Sequence, residues 1–216
     1  MVEQGAGPAR DVTTRSEAAR PPWWRRLPGE VALAGRAGVV LAVLAGCAAL
    51  WWSAPAAHAP ALALVAAAGV LLAVVDARTH RLPDAILLPA WAACAVLLGC
   101  ATLATGDTDA LVRATCGAAA GFTSYALLRL AHPPGLGFGD VKLAGLLGTA
   151  LAWLGWSELV VGLVAPFVLG GFWAVALLAL RRATRSTAVP FGPFMVVGAA
   201  LAAVAADVVV GAYAFA

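Results

Sequence analysis

Charge is scarce in this chain: only 12% of its 216 residues are Asp, Glu, Lys or Arg, while 62% are apolar. An ordinary soluble domain carries roughly 25% charged residues, so that class is excluded, and a mean hydropathy of +0.91 makes a lipid bilayer the natural solvent. The net charge of +3 is too small and too scattered for a nucleic-acid-binding surface. Cysteine is also scarce. Cys47, Cys94, Cys100 and Cys116 each sit inside an apolar run, with no C-x-x-C pair and no His at metal-ligand spacing, so they read as small packing residues. No internal repeat divides the chain, which favours a single helical domain.

Polar sequence is concentrated in residues 1–30, which are rich in Pro and Gly and carry Arg10, Arg15, Arg20, Arg25 and Arg26. This stretch is expected to be a disordered basic tail. It does not read as a cleavable signal peptide, whose charges would directly precede a short apolar core. The membrane-embedded domain is expected over 31–216.

A membrane-spanning helix needs roughly 20 mostly apolar residues, and seven runs approach that length: about 31–52, 59–76, 85–104, 109–131, 141–156, 158–180 and 191–212. They predict an all-α polytopic bundle. Breakers stand between them: Ser53-Ala54-Pro55, Gly106-Asp107, His132-Pro133-Pro134-Gly135, Gly155-Trp156 and the Arg181–Pro190 segment. The fifth run is short, and spans only if the bilayer thins around it or protein surrounds it.

Short loops rich in Lys and Arg stay in the cytoplasm. With seven spans, all of the 14 Lys and Arg except Arg113 fall on one side. That predicts a multi-pass protein of the bacterial plasma membrane with its N-terminus inside. Removing the fifth span would move the Arg181 loop outside and weaken the asymmetry. The Trp23-Trp24 and Trp51-Trp52 pairs read as interfacial anchors.

Asp76 ends the second run, in Val75-Asp76-Ala77-Arg78, and Asp140 opens the fifth, after Gly135-Leu136-Gly137-Phe138-Gly139. The topology brings both to the inner membrane boundary. Two carboxylates at low dielectric cannot both ionise cheaply and tend to share a proton. Such a pair activates water with one acid while the other polarises a peptide carbonyl. The glycines tolerate positive φ and allow close backbone approach. The segment is no nucleotide loop, because no strand precedes it and no Gly-Lys-Ser/Thr follows.

Structural roles compete with this chemistry. Asp140 is equally suited to cap the fifth helix, and Asp76 to pair with Arg78 or Arg81. Asp84, after Pro83, is expected to cap the third helix. Lys142, the one lysine, either biases Asp140 or meets lipid phosphate. His80 and His132 read as interface residues, and Asp207 as a snorkelling or helix-packing one.

Asp76 with Arg81-Leu82-Pro83-Asp84, then Gly137-Phe138-Gly139-Asp140-Val141-Lys142-Leu143, then Pro190-Phe191-Gly192-Pro193-Phe194 resemble the blocks of bacterial type IV prepilin peptidases. These belong to the Gly-x-Gly-Asp class of intramembrane aspartyl proteases. The resemblance covers roughly 60–200. It implies that Asp76 and Asp140 are catalytic, that Gly137, Gly139 and Lys142 shape the loop or meet substrate, and that water attacks with no cofactor and no metal. It also implies a prepilin-like partner with a short basic leader ending in Gly before an apolar helix, cut at the cytoplasmic face. Many long members carry a cytoplasmic domain with paired C-x-x-C motifs after the first helix, which this chain lacks. It looks more like short members serving Tad-type pili or archaeal-type filaments, and the methylation that long members also perform is not implied.

Two rival classes stand beside this one. A proton-coupled transporter would place acids near the bilayer midplane, whereas both acids here lie at one edge. A non-catalytic subunit of a pilus or secretion assembly would have no need for both aspartates.

Overall fold

The computed structural model describes residues 22–132, 136–180 and 190–214, the last nine of these by backbone alone. Seven α-helices follow one another with no strand among the described residues: α1 Trp23–Ser53, α2 Ala59–Thr79, α3 Asp84–Thr105, α4 Thr108–Ala131, α5 Phe138–Leu154, α6 Trp156–Ala179 and α7 Gly192–Ala214. The seven predicted runs are all helical, and breaks stand at Ser53–Pro55, Gly106-Asp107 and Gly155; the expected turns at 133–135 and 181–189 lie outside the described residues. α1, α2, α3 and α6 are each long and apolar enough to cross a bilayer, and the chain is a multi-pass membrane protein built as a helical bundle.

α1 begins at Trp23, so its first turns take up residues expected to be tail; residues 1–21 lie outside the described part. Leu27 and Val31 explain the extension, since both pack on the core. Gly35, at φ 68° and ψ 172°, then kinks the helix. A kink leaves carbonyls without helical partners, and the Arg78 guanidinium donates to one of them, Leu33 O, at 3.3 Å. Gly106, at φ 76°, closes α3 in the left-handed region. The Asp107 carboxylate then accepts from Ala110 N at 2.9 Å to start α4, as its residue type favours.

The short helix α5 is the axis of the bundle, touching α2, α3, α4, α6 and α7. Every residue from Asp140 to Trp153 except Lys142 is buried. Protein rather than lipid surrounds it, which is why 17 residues suffice. Its closest neighbour is α4, where Gly117 and Gly121 face Ala144, Gly148 and Ala152 with no room for a Cβ. Small residues at a crossing let backbones approach and gain dispersion contacts where no hydrophobic drive operates. At one end of the bundle Arg113 donates to Ala152 O and Trp153 O, both at 2.8 Å, sealing the last carbonyls of α5. The opposite end carries the candidate site.

Candidate active site

Asp76 lies in the last turn of α2 and Asp140 in the first turn of α5, with only 6% and 7% of their surfaces exposed. Each carboxylate is held by one main-chain donor through Oδ2. Gly192 N donates to Asp76 at 2.9 Å, and Gly137 N donates to Asp140 at 2.8 Å. No donor among the described residues is bonded to either Oδ1. The acids lie within electrostatic reach of each other, Asp140 also of Arg129 and Tyr125, and Asp76 of His80. The site thus combines two near-buried carboxylates, a fixed oxygen on each and a second oxygen left for water or substrate.

The capping expectation for Asp140 and the pair expectation are compatible. Its carboxylate reaches back to the N–H of the residue before the helix, as a third-position acid does, and it remains within electrostatic reach of Asp76. Asp76 makes no ion pair with Arg78 or Arg81; Arg81 is exposed and Arg78 serves the α1 kink. The glycines of the loop differ from expectation. Gly137 is extended at φ −71° and Gly139 is already helical, so neither needs positive φ. What they supply is space. A Cβ on Gly139 would stand 2.6 Å from Leu82 Cβ, and one on Gly137 would stand 3.0 Å from Asp140 Oδ2. Gly135 lies outside the described residues.

Lys142 makes no ion pair with Asp76 or Asp140 and bridges instead to Asp84 Oδ1 at 2.7 Å. Asp84 therefore does not cap α3, because its carboxylate is taken by a cation from another helix; Pro83 occupies the cap position without a side-chain bond. The Lys142 ammonium also lies 4.9 Å from the centre of the Phe138 ring, with the Arg129 guanidinium 5.8 Å from it. Arg129 further donates to Leu136 O at 2.6 Å. One aromatic ring and two cations thus tie the Asp140 loop to α3 and α4. His132 is exposed at the end of α4, and His80 ends α2 in the left-handed region at φ 53°. The Asp207 side chain lies outside the described residues.

Two contributors had no chemical role in the sequence reading. Gly192 belongs to the Pro190–Phe194 turn, which was expected only to pack near the Asp140 loop, and acts instead through its main-chain N–H on Asp76. Tyr125 is 1% exposed; its hydroxyl donates to Leu163 O at 3.0 Å, and its ring packs on Phe167 and Phe191 at 5.3 and 6.4 Å between centres. A tyrosine inside an apolar span was the available signal, since its hydroxyl must find a partner there. No group of three His, Cys, Asp or Glu side chains that could hold a metal occurs among the described residues.

Residues 62–175 match the model of the type IV leader peptidase family, a stretch that contains both aspartates. A prepilin leader peptidase/N-methyltransferase of Pseudomonas putida is 37% identical over 63% of this chain and 46% of its own length. Its counterpart in Burkholderia pseudomallei is 33% identical over 80% of this chain and 48% of its own. The leader peptidase HopD of Escherichia coli is 35% identical over 63% of this chain and 86% of its own. The chain thus spans about half the length of the N-methyltransferases it matches, and most of the length of HopD. No solved structure matches it significantly.

Proposed function

The chain belongs to the type IV leader peptidase family, and from that premise we propose that it is an aspartic endopeptidase that removes the leader of prepilin-like precursors at the membrane surface. The observation that carries the reading is the pair of near-buried carboxylates, Asp76 and Asp140, each anchored by a main-chain N–H and within electrostatic reach of each other. Like charges so placed favour a state in which one proton is shared. The ionised acid takes a proton from water as the oxygen attacks the peptide carbonyl, and the protonated acid gives its proton to the carbonyl oxygen. Collapse of the tetrahedral intermediate returns a proton to the departing amine and breaks the C–N bond. Gly137, Gly139 and the Phe138 clamp hold the loop in place, and Lys142 acts on that loop through Asp84.

The charge asymmetry supports a cytoplasmic N-terminus, which puts both acids at the inner boundary of the bacterial plasma membrane. The precursor is cut there, where a membrane-anchored substrate first meets water. The transporter and assembly-subunit readings find no support in the family match. Cleavage of a type IV prepilin in membranes, compared among the unmodified chain, Asp76→Asn and Asp140→Asn at matched expression, tests the assignment. Loss of cleavage by at least about a thousandfold in each variant is expected, as for acid/base groups that act as a unit; cleavage surviving either substitution removes the pair mechanism.

A further inference from the structure

Two side-chain bonds join α3 to α5, and both lie in one register. Lys142 Nζ donates to Asp84 Oδ1 at 2.7 Å, and Trp91 Nε1 donates to Thr149 Oγ1 at 2.9 Å. Asp84 and Trp91 stand two helical turns apart, about 10 Å, and so do Lys142 and Thr149. The two helices therefore run side by side in the same direction, pinned at two levels on one face of each. Between the levels, Gly145 leaves the space that the Trp91 ring takes up. The first pin is level with the site, because Lys142 follows Asp140 in the first turns of α5.

α3 is also tied to the helix that carries Asp76. Only His80 to Pro83 separate α2 from α3, and this turn is held along its length. His80 N donates to Asp76 O at 2.8 Å, the ring of Pro83 fixes its φ, and Leu82 packs so closely on Gly139 that a Cβ there would stand 2.6 Å from its own. Asp76 and Asp140 thus sit on two arms that meet at the start of α3. One arm is covalent, through residues 77–83; the other is ionic, through Lys142 and Asp84.

We propose that Asp84 is a positioning residue for the reaction: paired with Lys142, it sets the separation of the Asp76 and Asp140 carboxylates. The inference rests on the peptidase reading above and concerns the same site. Neither Asp84 nor Lys142 makes an ion pair or hydrogen bond with those acids among the described residues, so the pair acts by holding the first turn of α5 against the first turn of α3. The Asp84 side chain is 45% exposed, and ion pairs so placed contribute little to stability. Placement is another matter, because a reacting group displaced by about 1 Å costs far more in rate than such a pair contributes to folding.

Asp84→Asn and Lys142→Met each remove the pair, and the exchanged chain, Asp84→Lys with Lys142→Asp, restores it with the charges reversed. Cleavage of a type IV prepilin by purified chain in liposomes is measured across pH, beside thermal unfolding. Each single variant is expected to lose about tenfold in kcat, with KM within about twofold and Tm nearly unchanged. The exchanged chain is expected to rise at least about threefold above either, the Lys142 contact with the Phe138 ring remaining lost. The pH profile separates position from charge. Two carboxylates that share a proton titrate as a pair, and the closer they lie, the further apart the two limbs of the bell stand. Displacement draws the limbs together, by about half a pH unit or more, in both single variants. A direct electrostatic effect would instead move both limbs the same way, to lower pH on loss of the Asp84 charge and to higher pH on loss of the Lys142 charge. Arg129 and Tyr125 on α4 and His80 after α2, the other charged and titratable groups within reach of the acids, are the same in every variant. Unchanged kcat in the single variants overturns the proposal, as do limbs that shift together, a rate loss that follows a fall in Tm, or an exchanged chain no better than the single variants. Failure of the unmodified chain to cut prepilin removes the peptidase reading itself, and the positioning role with it.

Discussion

A methyl group at position 139 has nowhere to go, because it would lie 2.6 Å from Leu82 Cβ and 3.2 Å from Leu82 Cδ1. Gly139→Ala must push the loop, and with it Asp140, away from Asp76. Prepilin cleavage is expected to fall about tenfold or more, since misplacing a reacting group by about 1 Å costs that much. Leu82→Ala in the same chain opens the space and is expected to restore most of the rate; two losses that simply add would show that Leu82 is not the obstacle. Gly192→Ala differs in kind. The added Cβ would stand 2.9 Å from Asp76 Oδ2, so the group that must yield is the carboxylate itself, and trimming a neighbour offers no rescue. Initial rates beside thermal unfolding curves should show activity lost at nearly unchanged stability. These residues mark what was legible. A carboxylate where an apolar run meets water announces itself by its cost, which is how Asp76 and Asp140 stood out. Gly192 stood in a quoted block but its role was silent, because its contribution is a main-chain N–H that any residue but proline carries. Asp84 was misread for a related reason: capping is a local inference, and its partner Lys142 arrives from a helix 58 residues away.

At the scale of the element, α5 decides how the two acids meet, because it runs through the middle of the bundle with Asp140 at its first turn. Its fit against α4 depends on Gly117, Gly121 and Gly148, where backbone lies on backbone. Gly148→Leu is expected to destabilise by about 3 kcal/mol or more, the upper end of overpacking costs, because the obstacle is main chain and cannot change rotamer. Thermal unfolding in detergent should show a clear fall in Tm, while Val164→Leu on the exposed face of α6 leaves it within error. The positions of the helices were legible because apolar runs and Gly/Pro breakers are local signals. The central place of α5 was legible only as one of two options, since a short run can span either where the bilayer thins or where protein surrounds it. The kink at Gly35 was hidden too, as a glycine inside an apolar run signals freedom without saying whether it is used.

For the whole molecule, the remaining question is which way the bundle faces, and charge argues for the site end being inside. The exception to the asymmetry, Arg113, strengthens the case, because its guanidinium is bound to the Ala152 and Trp153 carbonyls and serves the end of α5. It therefore adds little free positive charge to the opposite surface, where it could oppose orientation. Arg25, Arg78, Arg81, Arg129 and Lys142, by contrast, gather at the site end. Single cysteines at Arg81 and at Ala56, placed in a chain whose four native cysteines are replaced by serine, read this directly. Cys47, Cys100 and Cys116 are exposed on their helices and would otherwise give background. In intact cells a membrane-impermeant maleimide is expected to label Ala56→Cys, and to label Arg81→Cys only after permeabilisation. The reverse pattern would put Asp76 and Asp140 at the outer boundary. Cleavage would then follow translocation of the leader, so the topology and the proposed side of cleavage stand or fall together.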